Sequence, residues 1–208
     1  PADVNAKADD LLIVVKGETE TAVTEAMSQV DDLLTRRKAS GSGGGEYRPH
    51  SLAAAAKMLP EADWVLISVP GRYAAGVAEE ALDLGKHVFL YSDNVPLADE
   101  VRLKQKAQTA GLLLMGPDCG TAIVNGVGLG FANRVRRGLI GLVAASGTGL
   151  QAVSSEIHNL GSGLSQAIGT GGRDLKAEVG AITALQAVEL LGQDRATRVI
   201  VLVSKPPS

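Results

Sequence analysis

The residues best placed to do chemistry are Ser146, Gly147, Thr148 and Gly149. They follow the apolar run Leu139 to Ala144 and precede an amphipathic run with Leu150, Val153, Ile157 and Leu160 on one helical face. Strand, small-residue turn and helix in that order leave free N–H groups at a helix N-terminus, where the helix dipole also favours negative charge. The turn is a seat for a phosphate or carboxylate, or else a plain Ser-capped helix start. The lysine of a Walker A loop is absent, so the seat has no cation of its own.

Four other turns follow apolar runs: Pro70-Gly71-Arg72, Ser92 to Pro96, Gly116 to Thr121, and Thr170 to Asp174. In open parallel sheets, ligands sit outside the carboxyl ends of the strands, and these turns would stand there. Asp118 and Thr121 suit a polar ligand, or close their own turn. Cys119 stands where a nucleophile could act; with no histidine close by in sequence, it reads as a structural thiol. Arg173 and Asp174 read as a solvated pair. His87 opens a strand and His158 sits late in a helix, where imidazole can meet the helix dipole; neither shows the proton partner of a general base. No metal is expected.

The positioning elements follow from periodicity. Leu11 to Val15 reads as a strand, followed by a helix with Val23, Met27, Val30 and Leu34 on one face. A flexible Gly/Ser linker spans 38–49. Beyond it Ser51 caps an Ala-rich helix to Leu59. Strands at 64–69, 87–91 and 112–115 then alternate with helices ending near Gly85 and Ala110, which is a doubly wound βαβαβ pattern. Residues 116–138 are Gly-rich and hold a short hairpin or crossover. The rhythm restarts with strands at 139–144, 165–169 and 199–203 and helices at 149–160 and 178–191. The expected division is therefore a first βα unit at 1–37, the linker at 38–49, a Rossmann-like domain at 50–137, and an incomplete flavodoxin-type α/β domain at 138–208.

Composition narrows the class. Hydrophobic residues make up 45% of the 208 residues but aromatics only 3%, so the core must be Ala, Val, Leu and Ile. That suits buried parallel strands under Ala-rich helices. The net charge of -3 and the lack of a long basic patch argue against nucleic acid. The single Cys119 fits a reducing compartment, and no apolar run reaches the ~18 residues of a membrane span. A cytoplasmic location is expected. The chain starts without Met and stops just after a strand, so it reads as a piece of a longer chain, with a partner subunit or further sequence expected at that exposed edge.

The ordered turns resemble a family. Gly116-Pro117-Asp118-Cys119, then Ser146-Gly147-Thr148, then Gly169-Thr170-Gly171-Gly172 resemble the α subunit of succinyl-CoA synthetase and the NDP-forming acyl-CoA synthetases. The variants Gly-Pro-Asp-Cys-Gly-Thr, Ala-Ser-Gly-Thr-Gly and Gly-Thr-Gly-Gly-Arg-Asp-Leu look closest to the FdrA-like branch of that superfamily. The resemblance covers about residues 50–208. It implies a CoA-binding, Rossmann-like domain followed by the start of a ligase domain. It also implies a phosphate seat at Ser146, Gly147, Thr148 and Gly149, and a CoA site lined by Val69, Pro70, Tyr73, Ser92, Asn94 and Pro96. Ligand loops would lie at Pro117, Asp118, Cys119, Gly120 and Thr121 and at Gly171 and Gly172. The region matching the family's Gly-x-Thr-Gly loop, Lys16 to Glu20, has one glycine and two carboxylates, which would repel a pyrophosphate. None of His50, His87 and His158 matches the family's phosphorylated histidine by position, so the catalytic residue is unknown.

Three functions are compatible with this reading. One is an acid–CoA ligase-like protein with phosphoryl transfer. Another is a subunit of an oxamate carbamoyltransferase-type complex of purine and allantoin breakdown. The third is a non-catalytic ligand-binding or assembly subunit. The expected ligands are a small carboxylate or acyl phosphate, phosphate or a phosphorylated ligand, and CoA; the expected partners are other subunits or copies of the chain.

Overall fold

The computed structural model describes residues 13–30 and 49–205. Residues 1–48 and 49–208 form two separate units. In the first, helix α1 (Glu20–Ser28) is capped by Thr19, whose Oγ1 accepts from the Ala22 N–H at 3.2 Å, and Glu20 suits its positive end. Residues 13–15 carry no strand, so the strand expected over Leu11 to Val15 is not formed there. Leu11, Leu12, the expected extension of the helix to Leu34, and linker residues 38–48 lie outside the described residues.

The second unit holds two sheets. The first is parallel, with β1 (Trp64–Ile67), β2 (His87–Leu90) and β3 (Leu114–Met115) side by side in that order. Helices α2 (Leu52–Met58), α3 (Gly71–Asp83) and α4 (Leu97–Thr109) supply the crossovers and cover. Ser51 caps α2 as expected. The reason for the alanines is visible in α3: Ala74, Ala78 and Ala81 recur at helical spacing, are fully buried, and let the helix lie close on Val88 and Leu90. Gly85, at φ +71, ends that helix.

The second sheet has the order β5-β4-β7-β6-β8. Its parallel part is β7 (Leu164–Gly169), β6 (Arg137–Ala144) and β8 (Val199–Val203). The hairpin β4 (Thr121–Val124) and β5 (Val127–Gly130) adds an antiparallel edge, with Ile123 opposite Ala167. The change of sheet thus falls between Met115 and Thr121, ahead of the hairpin and not near residues 136–138. Backbone pairing decides this, and a hairpin's partner strand is not encoded in its own turn. Helices α5 (Gly147–Asn159) and α6 (Ile182–Gln193) follow β6 and β7. Strand β8 is an edge, with Val199 and Leu202 exposed. Among the described residues no helix is long and apolar enough to cross a membrane.

Candidate functional site: two adjoining chambers at the strand ends

Two chambers open beyond the carboxyl ends of the strands. The smaller, about 250 Å³, is lined by Ser146, Gly147 and Thr148 together with Thr121, Gln151, Gly172 and Lys205. The larger, about 460 Å³, is lined by Ser68, Val69, Tyr91, Ser92 and Asp93. Asp118, Gly120 and Phe131 belong to both walls, so the chambers adjoin.

The smaller chamber is built on the start of α5. Ser146 has extended backbone and its Oγ accepts from the Gly149 N–H at 3.1 Å. The N–H groups of Gly147 and Thr148 have no partner among the described residues, as expected at a helix N-terminus. Gln151 Nε2 donates to the Phe131 carbonyl at 2.9 Å and to Thr121 Oγ1 at 3.3 Å, tying hairpin to helix. The expectation of a seat without a cation is overturned by Lys205, which reaches in from beyond β8. A Cβ built on Gly172 would stand 2.9 Å from Lys205 Nζ and 3.7 Å from Asp118 Oδ2. Lys205 forms no ion pair with a described carboxylate.

Not every expected residue reaches a chamber. Gly149 lacks a side chain for packing: a Cβ there would lie 2.9 Å from Val203 Cγ1. Its role is close helix–strand contact, not close approach to a ligand. Pro117 and Gly171 are buried against each other, since a Cβ on Gly171 would meet the Pro117 carbonyl at 2.4 Å. Of the expected CoA residues, Val69 and Ser92 line the larger chamber, while Pro70, Tyr73, Asn94 and Pro96 line neither. Pro70 and Pro96 are the N-caps of α3 and α4. Ser92 spends its hydroxyl on the backbone, donating to the Val69 carbonyl at 2.6 Å and accepting from the Val69 N–H at 3.0 Å.

Cys119 is buried, with its Sγ 3.7 Å from the Thr121 carbonyl and packed against Gly169. Burial pushes its thiol up to about 12 from 9.0, far more than the Thr121 contact and Lys104 lower it. The buried thiol lines neither chamber. Ionisation is easier in the unfolded chain, so this group's contribution to stability is full below 9.0 and is lost as pH rises through the folded value. At about pH 8 the native protein is expected to react with iodoacetamide at least about tenfold more slowly than the urea-unfolded chain. Equal rates would show the thiol to be open to solvent.

His87 and His158 are structural. His87 stacks on Trp64 and its Nδ1 accepts from the Leu113 N–H at 2.9 Å; burial lowers its pKa, opposed by Asp63. His158 Nδ1 accepts from the Arg136 N–H at 3.1 Å. Among the described residues no cluster of His, Cys, Asp and Glu is placed to hold a metal.

The loop that carries Gly172 is anchored by a buried charge network that sequence reading missed. Asp174 is fully buried and pairs with Lys104 at 2.6 Å, so it is not one half of a solvated pair with Arg173. It also caps α6, accepting from Thr183 N at 3.2 Å and Ala184 N at 2.9 Å. Lys104 donates to the Thr170 carbonyl at 3.0 Å and lies 3.1 Å from Glu100. Arg173 Nε lies 2.8 Å from the other Glu100 oxygen, and its guanidinium donates to the Val95 carbonyl. Glu100 is held by these charges without a well-aligned hydrogen bond. The i,i+4 spacing of Glu100 and Lys104 was a visible signal, but it is indistinguishable from an exposed helical pair in sequence.

The fold is Rossmann-like, as in the solved chains of acyl-CoA synthetase and ATP citrate lyase, with a second α/β sheet joined to the first. It resembles ATP citrate lyase from Methanothrix soehngenii, solved in complex with citrate and coenzyme A. The TM-score is 0.61 at 21% identity, over 73% of this chain and 26% of that one. No family model matches the chain. It is 28% identical over 172 residues to subunit alpha 1 of the ADP-forming succinate–CoA ligase of Archaeoglobus fulgidus, covering 79% of this chain and 58% of that subunit. It is 46% identical over 203 residues to the uncharacterized protein YahF of Escherichia coli (strain K12), covering 98% of this chain and 39% of that protein. The chain therefore spans roughly two fifths to three fifths of these curated relatives. Its relatives include α subunits of ADP-forming succinate–CoA ligases and a subunit of an ADP-forming sulfoacetate–CoA ligase, a likeness to CoA ligases.

Proposed function

We propose that the chain is the phosphate- and acyl-handling part of an acid–CoA ligase-like enzyme of the FdrA-like branch. The smaller chamber is its phosphate seat. The observation that carries this reading is the convergence on one chamber of unpartnered α5 amides, the Ser146 and Thr148 hydroxyls and the Lys205 ammonium. Amides at a helix N-terminus and a cation suit a phosphoryl group that arrives from outside. No imidazole or thiol lines the chamber, and the Ser146 hydroxyl is engaged with Thr148 and the Gly149 N–H, so Ser146, Gly147 and Thr148 act by binding. The adjoining chamber, with Val69 and Ser92 in its wall, takes the acyl or CoA side of the ligand.

A second reading, a subunit of a carbamoyltransferase-type complex, is favoured by Asp93 and Asp118 in the wall of the larger chamber. Their carboxylates oppose a pyrophosphate and suit the N–H donors of an amide. In either reading the working assembly includes other subunits or copies of the chain.

Calorimetric titration of the chain with phosphate, CoA and carbamoyl phosphate separates these readings. Phosphate is expected to bind. Lys205→Ala and Gly172→Ala are each expected to weaken it about tenfold, the second by displacing the Lys205 ammonium. Cys119→Ala is expected to leave it unchanged. CoA binding favours the ligase, and carbamoyl phosphate binding without CoA favours the transferase. If neither phosphate nor carbamoyl phosphate binds, the seat is wrong.

A further inference from the structure

A further pocket, of about 250 Å³, lies at the opposite end of the five-stranded sheet, where β6 and β7 begin. Arg134, Arg136 and Arg137 line it, with Asn133 and the bare backbone of Gly126 in the hairpin turn and Gly128 in β5. We infer that it binds a small molecule carrying a diphosphate, a site separate from both chambers and independent of the proposed function.

The charge distribution is the first argument. The chain is net acidic, yet from Cys119 to Ser155 it has these three arginines and no Asp or Glu. No carboxylate lines the pocket, and none of the three arginines forms an ion pair among the described residues. Arg137 acts on Asp194 through space only, as a minor contribution to a carboxyl held low mainly by Ala196 N–H and the Thr197 hydroxyl. Three guanidinium groups without an ion-pair partner around one concavity raise a positive potential that a multivalent anion relieves.

The second argument is that the pocket is pre-formed. Asn133 Nδ2 donates to Gln151 O at 2.9 Å and Ser155 Oγ at 2.7 Å, fixing the arginine segment on α5. Arg136 donates its main-chain N–H to His158 and its guanidinium to the His158 carbonyl. Leu164 N donates back to the Arg136 carbonyl at 2.9 Å, and Arg137 donates to Ser165 O at 2.6 Å. Each guanidinium carries five donors, so Arg136 and Arg137 keep most of theirs. Arg134 makes no bond to a described residue and is exposed. Two fixed guanidiniums and one free one match two phosphate groups joined together, each bound by paired N–H donors. A strand the length of β6 separates this pocket from the phosphate seat, roughly 25 Å.

The test is an amide NMR titration of the chain with pyrophosphate and, separately, with orthophosphate. Saturable shifts are expected at Asn125 to Gly128 and Asn133 to Arg137, with pyrophosphate bound about tenfold more tightly than orthophosphate. Arg134→Glu, at a residue with no structural bond, is expected to weaken the pocket shifts at least about tenfold and to leave those at Ser146 to Gly149 unchanged. The proposal is overturned by any of three results: no saturable shift there at about 10 mM pyrophosphate, equal affinity for orthophosphate, or an unchanged response in Arg134→Glu. Shifts confined to Ser146 to Gly149 would support the phosphate seat while overturning this site, so the two fail independently.

Discussion

Replacing Lys104 by methionine is expected to destabilise the fold by about 3–5 kcal/mol, read as a fall in the urea midpoint. The substitution keeps most of the side-chain volume and removes the ammonium. Of the two fully buried carboxylates, Glu100 would then keep only Arg173, and Asp174 would have no cation among the described residues. A buried carboxylate without a partner is costly because the interior solvates charge poorly. Asp174 would keep its two α6 amides, and Glu100, which has no well-aligned hydrogen bond, would keep the Arg173 guanidinium. The control sits two residues away on the same helix. Arg102 pairs with Glu79 at 2.6 Å and Asp99 at 3.2 Å, but in solvent. Arg102→Met is expected to change stability by no more than about 1 kcal/mol. Equal losses in the two variants would show that the buried network does not hold the loop.

Gly171→Ala is expected to destabilise by about 3 kcal/mol and to weaken phosphate binding in the same chain. Two effects add. The φ of Gly171 is +86, which a side chain disfavours, and the new Cβ would meet the Pro117 carbonyl at 2.4 Å and Gly116 Cα at 3.0 Å. Both neighbours are backbone, so relief requires the loop from Thr170 to Asp174 to move away from the turn at Pro117. Gly172 and Lys205 would move with it, because Gly172 is the next residue. Gly161 isolates the conformational part: its φ is +84 with nothing near the added Cβ, and Gly161→Ala is expected to lose only about 1 kcal/mol. If the two alanines prove equally mild, the contact between the two loops is not close.

The legible part of the site was the part made by neighbours in sequence. Ser146 caps α5 because a hydroxyl three residues before an N–H can reach it whatever surrounds the helix. The turns after β1, β2, β3, β6 and β7 were visible as small and polar residues closing apolar runs. Their gathering at one rim follows from parallel strands, which put all carboxyl ends on one side. Less legible was which turn residue faces ligand and which faces the next loop. Gly149 and Gly171 look like ligand-loop glycines, but their missing side chains make room for Val203 and for the Pro117 carbonyl.

By itself the sequence determined the α/β class, the order of strands and helices beyond residue 50, and the small-residue start of α5. Each of these rests on periodicity or on a cap within a few residues, and local interactions suffice. The tertiary structure alone decided the sheet to which the hairpin belongs and the joining of two chambers through Asp118, Gly120 and Phe131. It also brought Lys205 into the wall of the smaller chamber and set Lys104 against Asp174. Those contacts join residues far apart in the chain. A charge reveals its partner only when folding removes water from around it and leaves the opposite charge as its remaining solvation.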